Sequence, residues 1–209
     1  MKKILFTLLI SFSLLMFNSC SKTDMKSVNN SAPDQNLSQT LYNSSEYGSY
    51  VAATNNIISS IDFNKLQAAN TESARAATPS NKEYLTKSEV QKILNTLPIN
   101  QDIYFTNREM LVNSIQSFQT KYHLTNEQSA LLWNNVINNH PESFKPSFDF
   151  PIISGIINCV TDAATTFAAT TAVCLALRQI PFIGERLFRI CETEAINTLT
   201  DSLRGCIQL

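Results

Sequence analysis

The stretch PIISGIINCVTDAATTFAATTAVCLALRQIPFIGERLFRICETEAINTLTDSLRGC, Pro151 to Cys206, decides the fold. It holds four of the chain's five cysteines, Cys159, Cys174, Cys191 and Cys206, and three of its four glycines. The interval from Cys159 to Cys174 equals that from Cys191 to Cys206, so both Cys159/Cys206 and Cys174/Cys191 are centred between Phe182 and Ile183. At that centre stands Ile180-Pro181-Phe182-Ile183-Gly184, where proline and glycine end a helix. The pattern predicts an antiparallel helical hairpin, with helices over about 152–179 and 185–207.

The pairing follows by elimination among three connectivities. Cys159 and Cys174 share one predicted helix, which puts their Cα atoms ~22 Å apart at a rise of about 1.5 Å per residue. A disulfide spans only about 4.4–6.8 Å. Pairing first with third and second with fourth requires parallel helices, which a short turn forbids. Cys159–Cys206 and Cys174–Cys191 remain. The cysteines of each helix differ by ~60° around its axis, so both can face the partner helix. The alternative is four separate buried thiols, each a small core residue.

The first hairpin helix is apolar around most of its circumference, with Ile153, Ile156, Ile157, Val160, Ala164, Phe167, Ala168, Val173 and Leu175. Its only charge before Arg178 is Asp162. Such a helix lies in a core or in lipid. The second is amphipathic: Phe188, Cys191, Ala195, Leu199 and Cys206 face one way, and Arg189, Glu192, Asp201 and Arg204 lie off that face. Charges of this density oppose bilayer insertion, so the first helix is expected to be buried in protein.

Upstream, three segments carry the signature of a capping box, with Thr at the N-cap and Glu or Gln at the third helical position. They are Thr86/Glu89, Thr106/Glu109 and Thr125/Gln128. The second predicted helix carries Leu111, Ile115, Phe118 and Tyr122 as one stripe. The third carries Leu132, Val136, Trp133 and Ile137 and ends before Pro141. The near-equal intervals between the three caps resemble a degenerate repeat, but three well-capped helices account for them equally. Residues 142–150, with Phe144, Phe148 and Phe150, form a connector whose rings pack on the helices. No strand pattern is present. The expected class is all-α: three capped helices over 81–141, with the hairpin of 151–209 packed upon them.

The N-terminus reads as an export signal. Lys2-Lys3 precede an apolar run from Ile4 to Phe17, which is short for a membrane span and suited to a secretory signal. Residues 1–19 are set aside from the fold on that ground. The run ends in Phe17-Asn18-Ser19-Cys20. A small residue followed by cysteine resembles the lipobox of bacterial lipoproteins, in its looser Bacteroidota-like form, and the Asn/Ser/Lys-rich composition is similar to that group. The resemblance covers residues 1–20 and departs from the usual pattern at Phe17 and Asn18. It implies that Cys20 is acylated, with palmitate among the expected groups, and becomes the mature N-terminus. It further implies a lipid-anchored protein of the cell envelope, on the periplasmic face or the cell surface. Residues 20–80 are polar and read as a disordered tether, with one possible short helix carrying Ile57, Ile58, Ile61, Phe63 and Leu66. The folded body is then expected to start near Tyr50.

Composition narrows function further. Formal net charge is −1 over 209 residues. Without Lys2 and Lys3, 14 positive side chains face 17 negative ones, so no basic footprint for nucleic acid exists. The sequence has no zincin, CxxC, nucleophile-elbow, phosphate-loop or calcium-loop motif. His123 and His140 flank the third capped helix without a third ligand at a metal-site spacing. Asp162, Thr165, Thr166, Thr170, Thr171 and Trp133 read as packing or backbone-bonding residues. No catalytic residue, metal or cofactor is expected. Two readings follow: a membrane-anchored all-α interaction module held in the bilayer through acylated Cys20, with a protein partner of unknown identity, or the precursor of a secreted toxin peptide cut from residues 150–209. The second is similar to bacteriocin precursors in layout alone.

Overall fold

A computed structural model describes residues 35–68, 95, 98–148, 154–178 and 184–207. Its helices are α1 (Gln35–Tyr42), α2 (Ser45–Ser59), α3 (Phe63–Ala68), α4 (Gln101–Lys121), α5 (Asn126–Asn139), a 3-10 turn (Pro141–Ser143), α6 (Ser154–Arg178) and α7 (Gly184–Ile207). No strand occurs among the described residues; Ile61 and Ile99 form one isolated antiparallel bridge. The protein is all-α.

α6 is the central element. It lies along α5 on one side and α7 on another, and also touches α2, α4 and the 3-10 turn. Its small residues permit this crowding: Ala163, Ala164, Ala168, Ala169, Ala172 and Ala176 are all buried, with Val160, Phe167 and Leu175 among them. By length and composition the segment Ile156–Ala176 would cross a membrane, at a mean hydropathy of 1.3, but 67% of it is buried inside the protein. Asp162 escapes burial by lying on the exposed side of α6, and Ile157 is exposed as well. Thr165 donates to Thr161 O at 2.8 Å, the backbone bonding expected of it.

The 35–68 segment corrects the expected tether. α1 and α2 belong to the core. Ser44 caps α2 by accepting from Tyr47 N at 3.1 Å. Tyr47, Tyr50, Ala53, Thr54, Ile57 and Ile58 then recur at helical spacing, and all are buried. Tyr50 is fully buried and donates its phenol proton to Ala168 O at 2.7 Å, tying α2 to the middle of α6. Its ring lies 4.9 Å from that of Trp133, itself fully buried, and Phe118 meets the same indole edge-on at 6.2 Å. Burying each such side chain stabilises by about 1.5–3 kcal/mol, which a polar composition hides but does not remove. The anticipated short helix is in fact two: Ile57 and Ile58 end α2, and Phe63 and Leu66 belong to α3.

Of the three expected caps, one stands where its motif places it. α5 begins at Thr125, whose hydroxyl accepts from Gln128 N at 3.2 Å while Gln128 Oε1 accepts from Thr125 N at 2.9 Å. Leu132, Trp133, Val136 and Ile137 are all buried, as their spacing requires. The Thr106 box is a correction. α4 starts earlier, at an Asn100 cap that accepts from Ile103 N at 3.2 Å, and Thr106 is an exposed residue within the helix. An early start places Tyr104 in the core, and that burial outweighs a local capping motif. The stripe Leu111, Ile115, Phe118 is buried as expected. With Thr106 inside a helix, the cap spacing carries no repeat. The Thr86 box lies outside the described residues.

Between α4 and α5 the chain turns through His123, whose φ of 54° is left-handed. Leu124 N donates to Gln119 O and His123 N to Thr120 O, the paired bonds of a Schellman ending. Beyond α5, the connector buries Phe144 fully and sets Phe148 edge-on to Phe63 at 4.8 Å; Phe150 lies outside the described residues.

Candidate functional site

The hairpin carries both predicted disulfides. Cys159 is joined to Cys206 across Cα atoms 5.6 Å apart, and Cys174 to Cys191 across 5.4 Å. Helical register explains it: the two cysteines of each pair stand at equal distance from the turn, so α7 running back along α6 meets each thiol opposite its mate. Cys174 and Cys206 are fully buried. The four sulfurs are committed to structure and none is free to act as a nucleophile. Cys20 lies outside the described residues.

Where α7 meets α4, one acid departs from the sequence reading. Glu192, expected on the outer face of α7, is 4% exposed. Tyr104 donates to its Oε1 at 2.6 Å. Arg108 engages it with both ends of its fork: Nε on Oε1, and Nη2 on Oε2 at 3.3 Å. Arg108 also reaches exposed Glu109 at 3.0 Å. Burial works against the charged guanidinium, but hydrogen bonding and charge from Glu192 hold the Arg108 pKa above its ordinary value. Burial, followed by the charge of Glu192, pushes the Tyr104 phenol well above the usual phenol range.

Phe188 lies between two cations. Arg108 stands 4.7 Å from its ring centre and Arg178 5.4 Å. Such contacts stabilise by about 0.5–2 kcal/mol each. Arg178 in turn bonds Glu185 at 2.9 Å, and Arg189 approaches the same carboxylate at 3.4 Å. Near the other end of α7, Arg204 donates to Leu66 O of α3 at 3.2 Å. The outer helix is thus held by two disulfides to α6 and by polar contacts to α4 and α3. Chemically this assembly fixes helices. Glu192 already accepts from three donors and is closed to solvent, so it serves as a latch and not as an acid or base for a substrate.

The other residues that the sequence brought forward fall elsewhere. His140 caps the end of α5, stacks on Tyr42 at 3.8 Å and contacts Glu142 at 3.0 Å through Nδ1. His123 sits at the opposite end of α5, in the turn. Among the described residues no group of three or more His, Cys, Asp or Glu side chains is placed to hold a metal ion. Trp133 is core. The exposed large apolar residues are Ile103 and Met110 on α4, Leu131 on α5 and Ile157 on α6. A shallow polar hollow on α4 is lined by Asn113, Gln116, Ser117, Thr120 and Lys121.

Sequence reasoning missed the Glu192 latch. The signal was weak: Tyr104 and Arg108 stand at i and i+4 and so share one face of α4, but nothing local names their partner far along the chain. No protein-family profile, curated protein or solved structure matches the chain.

Proposed function

We propose that the protein is a lipid-anchored, all-α interaction module of the cell envelope, held in the bilayer through an acylated Cys20 and acting by binding a protein partner and not by catalysis. The observation that supports this most is the cysteine account. The four hairpin cysteines pair with one another. Of five cysteines, that leaves Cys20 as the odd one, directly after an apolar run and a small residue. Disulfides persist in exported proteins, and an odd cysteine in such a chain calls for a further partner or modification. Acylation supplies one at this position. Anchoring by lipid alone takes more than one chain to be stable, which the lipobox resemblance also implies.

The peptide-precursor reading is the less favoured. Residues 154–207 share their core with α2, α4 and α5 through Tyr50, Trp133 and Glu192, so release of the hairpin would expose Phe167, Leu175 and the alanine faces.

Intact mass of the membrane-extracted protein is the test. The expected species is residues 20–209 with added acyl mass and a deficit of four hydrogens. Cys20→Ala should move the protein out of the membrane fraction. An unlipidated soluble wild type would overturn the anchor, and recovery of a chain cut near residue 150 would favour the peptide reading.

A further inference from the structure

Resting on the anchored reading, we infer that the folded body works against the membrane that holds it, and that its partner is a protein presented within about 50 Å of that bilayer. The fold begins close to the anchor. A tether of residues 20–80 would reach on the order of 200 Å at full extension. The core instead claims the chain from α1 onward. Leu41 is fully buried, Tyr42 stacks on His140, and α1 packs against both α2 and α5. Residues 21–34 alone separate Cys20 from Gln35. Whatever conformation they take, they span at most about 50 Å at ~3.6 Å per residue. The α1 end of the body therefore stays in a layer of that depth. The mature charge balance of 14 positive against 17 negative side chains offers no basic surface for anionic headgroups, so the short leash, and not lipid docking, sets the distance. Within such a layer a partner resident in the same membrane is met at high effective concentration, whereas one farther off is out of reach.

Trp133 provides the ruler. It is the only tryptophan in the chain and lies 6.2 Å from Tyr47, the residue whose amide the Ser44 cap takes up after α1. The lipidated full chain is placed in phosphatidylcholine vesicles carrying a small fraction of headgroup-dansylated phosphatidylethanolamine. Transfer from Trp133 to dansyl is expected. Inserting about 40 Gly/Ser residues between Ser21 and Lys22 adds ~35 Å of mean reach and should weaken that transfer several-fold. Flotation of the same vesicles reports the anchor separately: protein that does not float refutes acylation and not the leash. Floating protein with no transfer overturns the confinement. Equal transfer with the long leash also overturns it, because the body would then dock on lipid through its own surface.

Discussion

Tyr104 of α4 donates its phenol proton to Glu192 of α7 at 2.6 Å, across the seam that joins the hairpin to the rest of the bundle. Arg108 takes the same carboxylate from the neighbouring turn. A buried carboxylate with three donors is costly to disturb, because removing one partner leaves the others desolvated and unmatched.

Glu192→Ala should therefore destabilise the oxidised protein by about 3 kcal/mol. Tyr104→Phe, which removes one hydrogen bond to a charged group, should cost about 1.5–3 kcal/mol. Urea denaturation of the two single variants and the double variant would show strong coupling. Additive losses would mean that the two side chains do not act as one latch.

The two nested disulfides should differ in what they protect. Each stabilises by ~2–4 kcal/mol on the chain-entropy model, more for the longer loop. Cys159→Ser with Cys206→Ser frees the last turn of α7 and should open it to carboxypeptidase. Cys174→Ser with Cys191→Ser should leave that end protected and loosen the turn. Non-reducing peptide mapping of the wild type checks the pairing directly, and a peptide joining Cys159 to Cys174 would refute the hairpin.

Two threonines with the same local signature should respond in opposite ways. Thr125→Ala removes a working cap and should cost about 1 kcal/mol. Thr106→Ala lies inside α4 on an exposed face, where alanine is the better helix former, and should leave stability unchanged or slightly raised. Thermal melts of the two variants decide it.

Alkaline pH should unfold the protein through its tyrosines. Burial first, and the charge of Tyr47 second, push Tyr50 well above its ordinary value of 10.0, and Tyr104 is raised in the same way. A raised pKa in the folded state means that the native protein holds protons which the unfolded chain releases above pH ~10. Their contribution to stability is complete below that pH and declines above it as pH climbs toward the folded values. Ultraviolet titration should show Tyr50 and Tyr104 ionising only together with the loss of near-ultraviolet dichroism. Ionisation of all six tyrosines ahead of unfolding would contradict their burial.

The fold boundary can be tested by truncation. A chain starting at Pro33 should melt cooperatively, since the compact unit runs from Pro33 to Leu209. One starting at Tyr50 loses buried Leu41 and Tyr47 and the Ser44 cap. It should show a lower melting temperature and bind hydrophobic dyes. Equal melting temperatures would mean that α1 and the first turn of α2 contribute nothing.

The hairpin was legible because symmetry, a proline-glycine turn and the reach of a disulfide leave one solution. The Thr125 cap was legible because capping is local. α2 was hidden although its period is clear in hindsight: Tyr47, Tyr50, Ala53 and Thr54 mark a buried face with residues that composition counts as polar or small. Thr106 misled because a cap motif is silent where a helix has already started. Glu192 was misplaced because a lone acid near an apolar stripe reads as solvated until a partner from another helix is known. The latch is a tertiary fact, carried by two helices far apart in sequence.

The bridge between Ile61 and Ile99, with Asp62 N bonded to Pro98 O at 2.9 Å, brings the chain back to the place it left. The segment between them is therefore a closed excursion with a pinned neck. Its length enters the geometry of α2 and α4 only through loop-closure entropy, which changes by about 0.6 kcal/mol for a doubling. Beyond α3, which packs on α7, the excursion is the natural place to graft a tag, an epitope or a second domain without moving the rest of the bundle.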